Sequence, residues 1–175
     1  MLPVGVFFYD FAKAFDKVEH RRLLAKVKSV GIKGDLLEWI AQWLTGRKQR
    51  VVVEGEYLEW TDVLSSVVQG SVLGPLLFII FIDDIDNDSK VRCSKFADDT
   101  KQAKVVRSQE EAEEFQEEER RMEAWAGKWS MLFNEDKCKV MHLGSRNSKH
   151  HYEMNGKPLA ETEVEKDLGV LISRT

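Results

Sequence analysis

A chain of 175 residues, 43% hydrophobic and 32% charged, holds enough apolar residues for one core of ordinary domain size, which excludes a disordered segment, and it lacks the run of about 20 apolar residues that a membrane span requires. Its formal charge of -4 excludes a uniformly basic surface, yet residues 109–123 carry eight Glu against Arg120 and Arg121, so the remainder is weakly positive and a polyanionic partner stays open. Cys93 and Cys138 stand far apart and the four His show no ligand spacing, which excludes a zinc finger or a disulfide framework.

Residues 4–11 are almost continuously apolar or aromatic, which predicts a central strand buried on both faces, with Asp10 where it emerges. The same opening has neither the basic start nor the small-residue cleavage site of a secretory leader, so an intracellular protein, nuclear or cytoplasmic and not secreted, is expected. Leu23, Leu24, Val27 and Val30 recur at helical spacing before Gly31, and a second helix is predicted from Asp35 to Leu44, ended by Gly46. Arg47–Val53 and Tyr57–Leu64 flank Glu54-Gly55-Glu56 and read as a hairpin approached by basic residues. Gly74-Pro75 opens an apolar run that predicts a buried helix over 75–86. Two short strands, 91–96 and 100–106, place Asp98-Asp99 at a hairpin tip. Residues 109–129 carry Phe115, Met122, Trp125 and Trp129 on one side of an amphipathic helix whose Glu-rich face is solvated. A strand over 137–143 and the turn signal Asn155-Gly156 leave a small β appendage at the end of the chain. Helical or strand spacing assigns the five Trp to core packing rather than to base stacking.

Asp10 at a strand end and Asp98-Asp99 at a hairpin tip form the most informative pattern. Three carboxylates on strand ends offer hard oxygen ligands to divalent metals, and a metal pair clamps the attacking and leaving oxygens of a phosphoryl transfer. A second acidic tetrapeptide, Phe81-Ile82-Asp83-Asp84, runs on into Asp86-Asn87-Asp88 at the end of an apolar helix and is assigned to helix termination. Small Ala97 beside Asp98-Asp99 allows close approach of a ligand or another backbone.

These residues resemble a known family, the reverse transcriptases of non-LTR, LINE-type and jockey-like retrotransposons. Tyr9-Asp10-Phe11-Ala12-Lys13-Ala14-Phe15-Asp16-Lys17-Val18 is similar to its first catalytic motif, Gln69-Gly70-Ser71-Val72-Leu73-Gly74-Pro75-Leu76-Leu77 to its glycine-rich second, and Phe96-Ala97-Asp98-Asp99 to its acidic third. Asn134–Lys139 resembles the lysine-bearing fourth and Asp167-Leu168-Gly169-Val170 the fifth. Five motifs in order through essentially the whole chain are far more specific than any one of them.

The resemblance implies an α+β fold: a polymerase palm-like antiparallel sheet with helices packed on one face and a C-terminal β-hairpin, residues 131–175 covering the last two motifs and the fingers and thumb largely absent. It implies RNA-directed DNA polymerase activity in retrotransposition, with an RNA template, a DNA primer and dNTPs as partners, no membrane, and the missing polymerase segments of a parent polyprotein. Asp10, Asp98 and Asp99 are then the catalytic, metal-holding residues for two Mg²⁺ ions, with Mn²⁺ as a substitute. The resemblance further implies that Phe15 would lie beneath the sugar of the incoming nucleotide, that Gln69 and Gly70 would contact that nucleotide, and that Lys137 would sit near the triphosphate. Asp16 is assigned to helix capping. Val68 stands where the family usually has proline, which loosens the placement of Gln69. Two other readings compete: a truncated, noncatalytic retrotransposon-derived palm with weak or no nucleic-acid binding, and a metal-dependent nuclease, which explains the aspartates but not Phe15 or the Gln69-Gly70 loop.

Overall fold

A computed structural model describes residues 1–174. In chain order the elements are β1 (Val4–Tyr9), α1 (His20–Ser29), α2 (Gly34–Leu44), β2 (Lys48–Gln49), β3 (Val52–Val53), β4 (Glu56–Tyr57), β5 (Thr61–Asp62), α3 (Leu73–Ile82), β6 (Arg92–Phe96), β7 (Asp99–Val105), α4 (Gln109–Trp129), β8 (Lys139–Leu143), β9 (Glu153–Met154), β10 (Lys157–Pro158), β11 (Ala160–Glu161), β12 (Val164–Asp167) and β13 (Val170–Ser173). The fold is α+β and palm-like, as the sequence implies. Among the described residues no helix is long and apolar enough to cross a membrane.

The chain divides into two compact units, Met1–Ala12 with Ile85 onward, and Lys13–Asp84. The first unit is a five-stranded sheet in the order β11-β8-β1-β7-β6. All pairs are antiparallel except β11 with β8, which is parallel, so the sheet is mixed and not purely antiparallel. β8 lies inside this sheet instead of in an appendage, because its apolar Val140 and Met141 pair with Phe7 and Val6 of β1. β1 alternates between half-buried and buried positions, so only one of its faces is fully covered. There Phe7 stacks on Phe115 of α4 at 4.0 Å between ring centroids, and Tyr152 meets both rings edge-on. Gly5 makes this approach possible, since a Cβ there would lie 2.9 Å from the Phe115 ring.

A polar chain runs through the same interface. The Tyr9 hydroxyl donates to Gln102 Oε1 at 2.8 Å, Gln102 Nε2 donates to Ser89 Oγ, and Ser89 Oγ donates to Glu118 Oε2 at 2.9 Å. Glu118 also accepts from the Lys90 amide and from Arg121, so its buried carboxylate is well satisfied. Its neighbour Glu119 is fully buried; Gln116 donates to one of its oxygens and the other has no hydrogen-bond partner. Burial, followed by the nearby Glu123 carboxylate, pushes the Glu119 carboxyl up to about 9. The folded chain therefore holds this proton more tightly than the unfolded chain, whose carboxyl keeps its ordinary value near 4.5. Its contribution to stability is complete below that value and is lost as the pH rises towards 9. Glu119→Gln, neutral at every pH, is expected to melt higher than the parent at pH 8–9 and equally near pH 4. Thermal melts across that range check it, and parallel pH profiles for the two chains would contradict it.

In the second unit, α1 and α3 pack through Leu23, Val27, Leu77, Phe78 and Phe81, all buried. The buried Lys26 ammonium donates to the Phe81 carbonyl and pairs with Asp84, both at 2.5 Å, and so places a cation at the C-terminal end of α3. α3 is apolar all round but only half buried, with Leu76 and Ile79 about half exposed. The 47–64 segment forms the expected hairpin, its Glu54-Gly55 turn taking positive φ at both residues, and β2 pairs with β5 below it. The expected core packing of the tryptophans is met only in part: Trp43, Trp125 and Trp129 are half-buried, and Trp125 packs against Phe11. Trp39 and Trp60 are more than half exposed, and Trp60 holds the Arg50 guanidinium against its ring together with Tyr57.

Candidate active site

The first unit brings two of the three sequence-selected aspartates together through strand register. β1 pairs with β7 from Val4↔Val105 to Tyr9↔Thr100; Asp10 follows that last rung on β1 and Asp99 precedes it on β7, and both line one groove. Residues opposite one another in an antiparallel pair project from the same face. Asp10 and Asp99 thus share a face with Phe8 and Lys101, while Phe7, Tyr9, Thr100 and Gln102 turn towards α4. Asp98 lies in the two-residue turn between β6 and β7, after Ala97 at a φ of 51°. A positive φ at the first turn position ordinarily calls for glycine.

Asp10 is anchored by its backbone rather than by the ladder. Its amide donates to Cys138 Sγ at 3.4 Å and its carbonyl accepts from the Asn134 amide at 2.7 Å. Burial pushes the Cys138 thiol up to about 12, so it stays protonated and serves this anchoring. The Asp10 carboxylate lies 3.6 Å from the Lys137 ammonium. The Asp99 carboxyl is raised above its ordinary value, first by desolvation and then by Asp98, Asp167 and Asp10, with Lys101 opposing. The carboxylates of Asp10, Asp98, Asp99 and Asp167 therefore act on one region, with Lys101 opposing them.

That region is a groove of about 320 Å³, lined by Asp10, Asp99, Lys101, Lys137, Asp167 and Leu168 among others. The hard oxygen donors of Asp10, Asp99 and Asp167 suit a divalent cation, and Lys95, Lys101, Lys137 and Lys166 line the same groove. Among the described residues, however, no three His, Cys, Asp or Glu side chains gather into a ready-made metal cage.

The other selected residues belong to the second unit. Phe15 lies in a 3-10 turn, Ala14–Lys17, half-buried and stacked on Phe78 at 4.6 Å. Gln69 is exposed and donates to Asp16 Oδ1 at 3.3 Å; Gly70, with a φ of 79°, has open space around it. Asp16 caps no helix, because Glu19 holds the N-cap position of α1. Instead Asp16 accepts from the Ser65 hydroxyl through its carbonyl and from Gln69 through its carboxylate. Gly74 packs tightly, since a Cβ there would lie 2.5 Å from the Val68 carbonyl oxygen.

Sequence reasoning missed Lys101, Cys138 and Asp167. Lys101 had a usable signal, because a residue two beyond Asp99 in a strand lies on the same face. Asp167 was inside a recognised motif without a role, and nothing in the spacing of Cys138 marked it.

The family model for reverse transcriptase (RNA-dependent DNA polymerase) matches residues 4–169. The chain is 32% identical to an RNA-directed DNA polymerase from mobile element jockey of Drosophila funebris, over 98% of this chain and 20% of that protein. A Drosophila melanogaster polymerase from transposon X-element, described as probable, is 28% identical over 95% of this chain and 19% of its own length. The chain thus spans about a fifth of these relatives. Among solved structures, apo telomerase from Candida tropicalis, truncated from its C-terminal domain, superposes with a TM-score of 0.69 at 12% identity, over 99% of this chain and 34% of that one. A Candida tropicalis telomerase in complex with a fragment of telomeric RNA gives 0.60 at 10% identity, over 88% and 28%.

Proposed function

The chain belongs to the reverse transcriptase (RNA-dependent DNA polymerase) family, and from that premise we propose that it carries the palm chemistry of an RNA-directed DNA polymerase, nucleotidyl transfer from a dNTP to a primer 3′-hydroxyl in retrotransposition. The observation that supports this reading is the placement of Asp10 and Asp99 in one groove at the end of the β1–β7 ladder.

Asp10, Asp98 and Asp99 would hold the divalent ions, Mg²⁺ or Mn²⁺. When bound, such ions activate the attacking hydroxyl and neutralise charge on the leaving group. The chain's own residues do the rest. The Lys137 ammonium, tethered near Asp10 and largely exposed, presents a mobile positive charge to a triphosphate. Phe15, held by its stack on Phe78, is the ring against which a deoxyribose would rest. Gln69, oriented by Asp16, and Gly70, exposed and with room where a side chain would stand, would meet the incoming nucleotide. An RNA template, a DNA primer and further segments of a longer polyprotein are the partners this role needs.

A noncatalytic retrotransposon-derived domain is the second reading, favoured by the Asp10–Lys137 pair and by the lack of a gathered metal cage among the described residues. Mg²⁺-dependent primer extension on an RNA template by the purified chain separates the two, with Asp98→Asn as control and circular dichroism to establish that both are folded. Extension by the parent alone is the expected result. A folded parent that incorporates nothing would move the assignment to the noncatalytic domain.

A further inference from the structure

The β12–β13 hairpin is a two-stranded sheet of its own, with no ladder to the five-stranded sheet. Much of its apolar surface also faces outward, Leu168, Val170 and Leu171 being more than half exposed. The pairing of β11 with β8 and the Thr162 amide on the Val140 carbonyl anchor its base; neither these nor deep apolar burial fix where the hairpin itself lies.

Two ion pairs do. Phe8 is the register partner of Lys101 on β7 and of Lys139 on β8, so the two lysines flank Phe8 in one row across three strands. They project from the face that carries Asp10 and Asp99. On β12, Glu165 and Asp167 are two residues apart and therefore point the same way. Lys139 Nζ meets Glu165 Oε1 at 2.7 Å, and Lys101 Nζ meets Asp167 Oδ2. The lysines lie two strand spacings apart, about 9.6 Å, against about 6.7 Å between alternate residues of a strand; flexible lysine stems absorb that difference where shorter side chains would not. All four side chains are largely shielded, from 19% to 37% exposed, so solvent screens them less than open surface pairs.

We infer that Lys101 and Lys139 are positioning residues that bind the β12–β13 hairpin to the acidic face as an ionic strap, setting the groove wall beside Asp10 and Asp99. Asp167 and Leu168, at the hairpin's turn, line that groove. The effect on polymerisation rests on the function proposed above; the strap itself does not.

The test is hydrogen exchange on the 175-residue chain, followed over residues 164–173. Lys101→Met with Lys139→Met should speed exchange there about tenfold while leaving α4 and β1 unchanged, whereas the two Arg variants should keep the native rates. Lys139→Glu alone should loosen the hairpin, and adding Glu165→Lys should restore it at unchanged net charge. If the Met variants do not fold, raising salt on the native chain from about 0.1 M to 1 M shrinks the screening length from about 10 Å to 3 Å and should loosen the same residues selectively. Equal exchange in the native and Met chains, no rescue by the charge swap, or no selective loosening by salt overturns the strap. Binding of a labelled RNA–DNA primer–template by the same chains adds the functional readout. The swap pair should bind several-fold more tightly than Lys139→Glu alone. A native chain that binds no primer–template sinks the polymerase reading, while the exchange rates still decide the strap.

Discussion

Asp99→Asn is expected to give a chain that folds at least as well as the parent and extends no primer. Desolvation and the fields of Asp98, Asp167 and Asp10 raise the Asp99 carboxyl above its ordinary value, so its charge opposes folding. The stabilising share of this group is complete below the unfolded-state value and is lost as the pH climbs through the raised folded-state value. Asparagine has no charge to penalise, so the variant should melt at the same temperature or higher at neutral pH and show no difference in acid. Activity should move the other way. A carboxylate that holds a metal at the reacting phosphate is worth a factor of about 100 to 1000 in rate, comparable to removal of a single preorganised charge-stabilising group. Mg²⁺ supplies an independent check: it should raise the parent's melting temperature by mass action and leave the variant's nearly unmoved. Full primer extension by Asp99→Asn, or a clear loss of stability at neutral pH, would remove Asp99 from the assigned role.

Phe115→Ala is expected to have the largest effect on stability, about 3–5 kcal/mol. The ring is fully buried, stacked on Phe7 at 4.0 Å and met edge-on by Tyr152. Because its face fills the space that Gly5 leaves open, the hole left by alanine is bounded by rigid strand backbone and closes poorly. Phe96→Ala removes an equally large ring, but one that is 63% exposed, and should cost far less. Urea titration of both variants decides it; a Phe115→Ala loss below about 1.5 kcal/mol would mean that the interface repacks. Since β1 carries both Phe7 and the approach to Asp10, the same substitution should weaken primer extension without touching the groove.

Much of the acidic site was legible in the sequence because strand and turn signals are local. The two short apolar runs around Asp98-Asp99 could hardly be read except as a hairpin, and helix α4 falls on the predicted residues. The choice of Asp99 as the partner of Asp10 was not legible, because it depends on a register between strands about 90 residues apart. β8 was misplaced for a similar reason. Residues 137–143 look like any short strand, and only their pairing with β1 puts them at the centre. Glu118 and Glu119 show where periodicity fails outright. In a helix this rich in glutamate they read as solvated surface, yet one is buried and satisfied by Ser89, Lys90 and Arg121, and the other is buried and raised to about 9. Asp16 resembled a helix cap by position but is engaged by Ser65 and Gln69, long-range partners that no local pattern announces.

Ala97 gives the acidic turn a property that neither carboxylate has. An alanine held at a φ of 51° stores roughly 1 kcal/mol relative to the right-handed alternative, and the pairing of β6 with β7 on either side holds it there. The tip therefore behaves like a sprung catch: if the last rungs fray, the peptide relaxes and the two carboxylates lose their aim while the sheet behind them stays intact. Warming should blunt the site before it melts the protein.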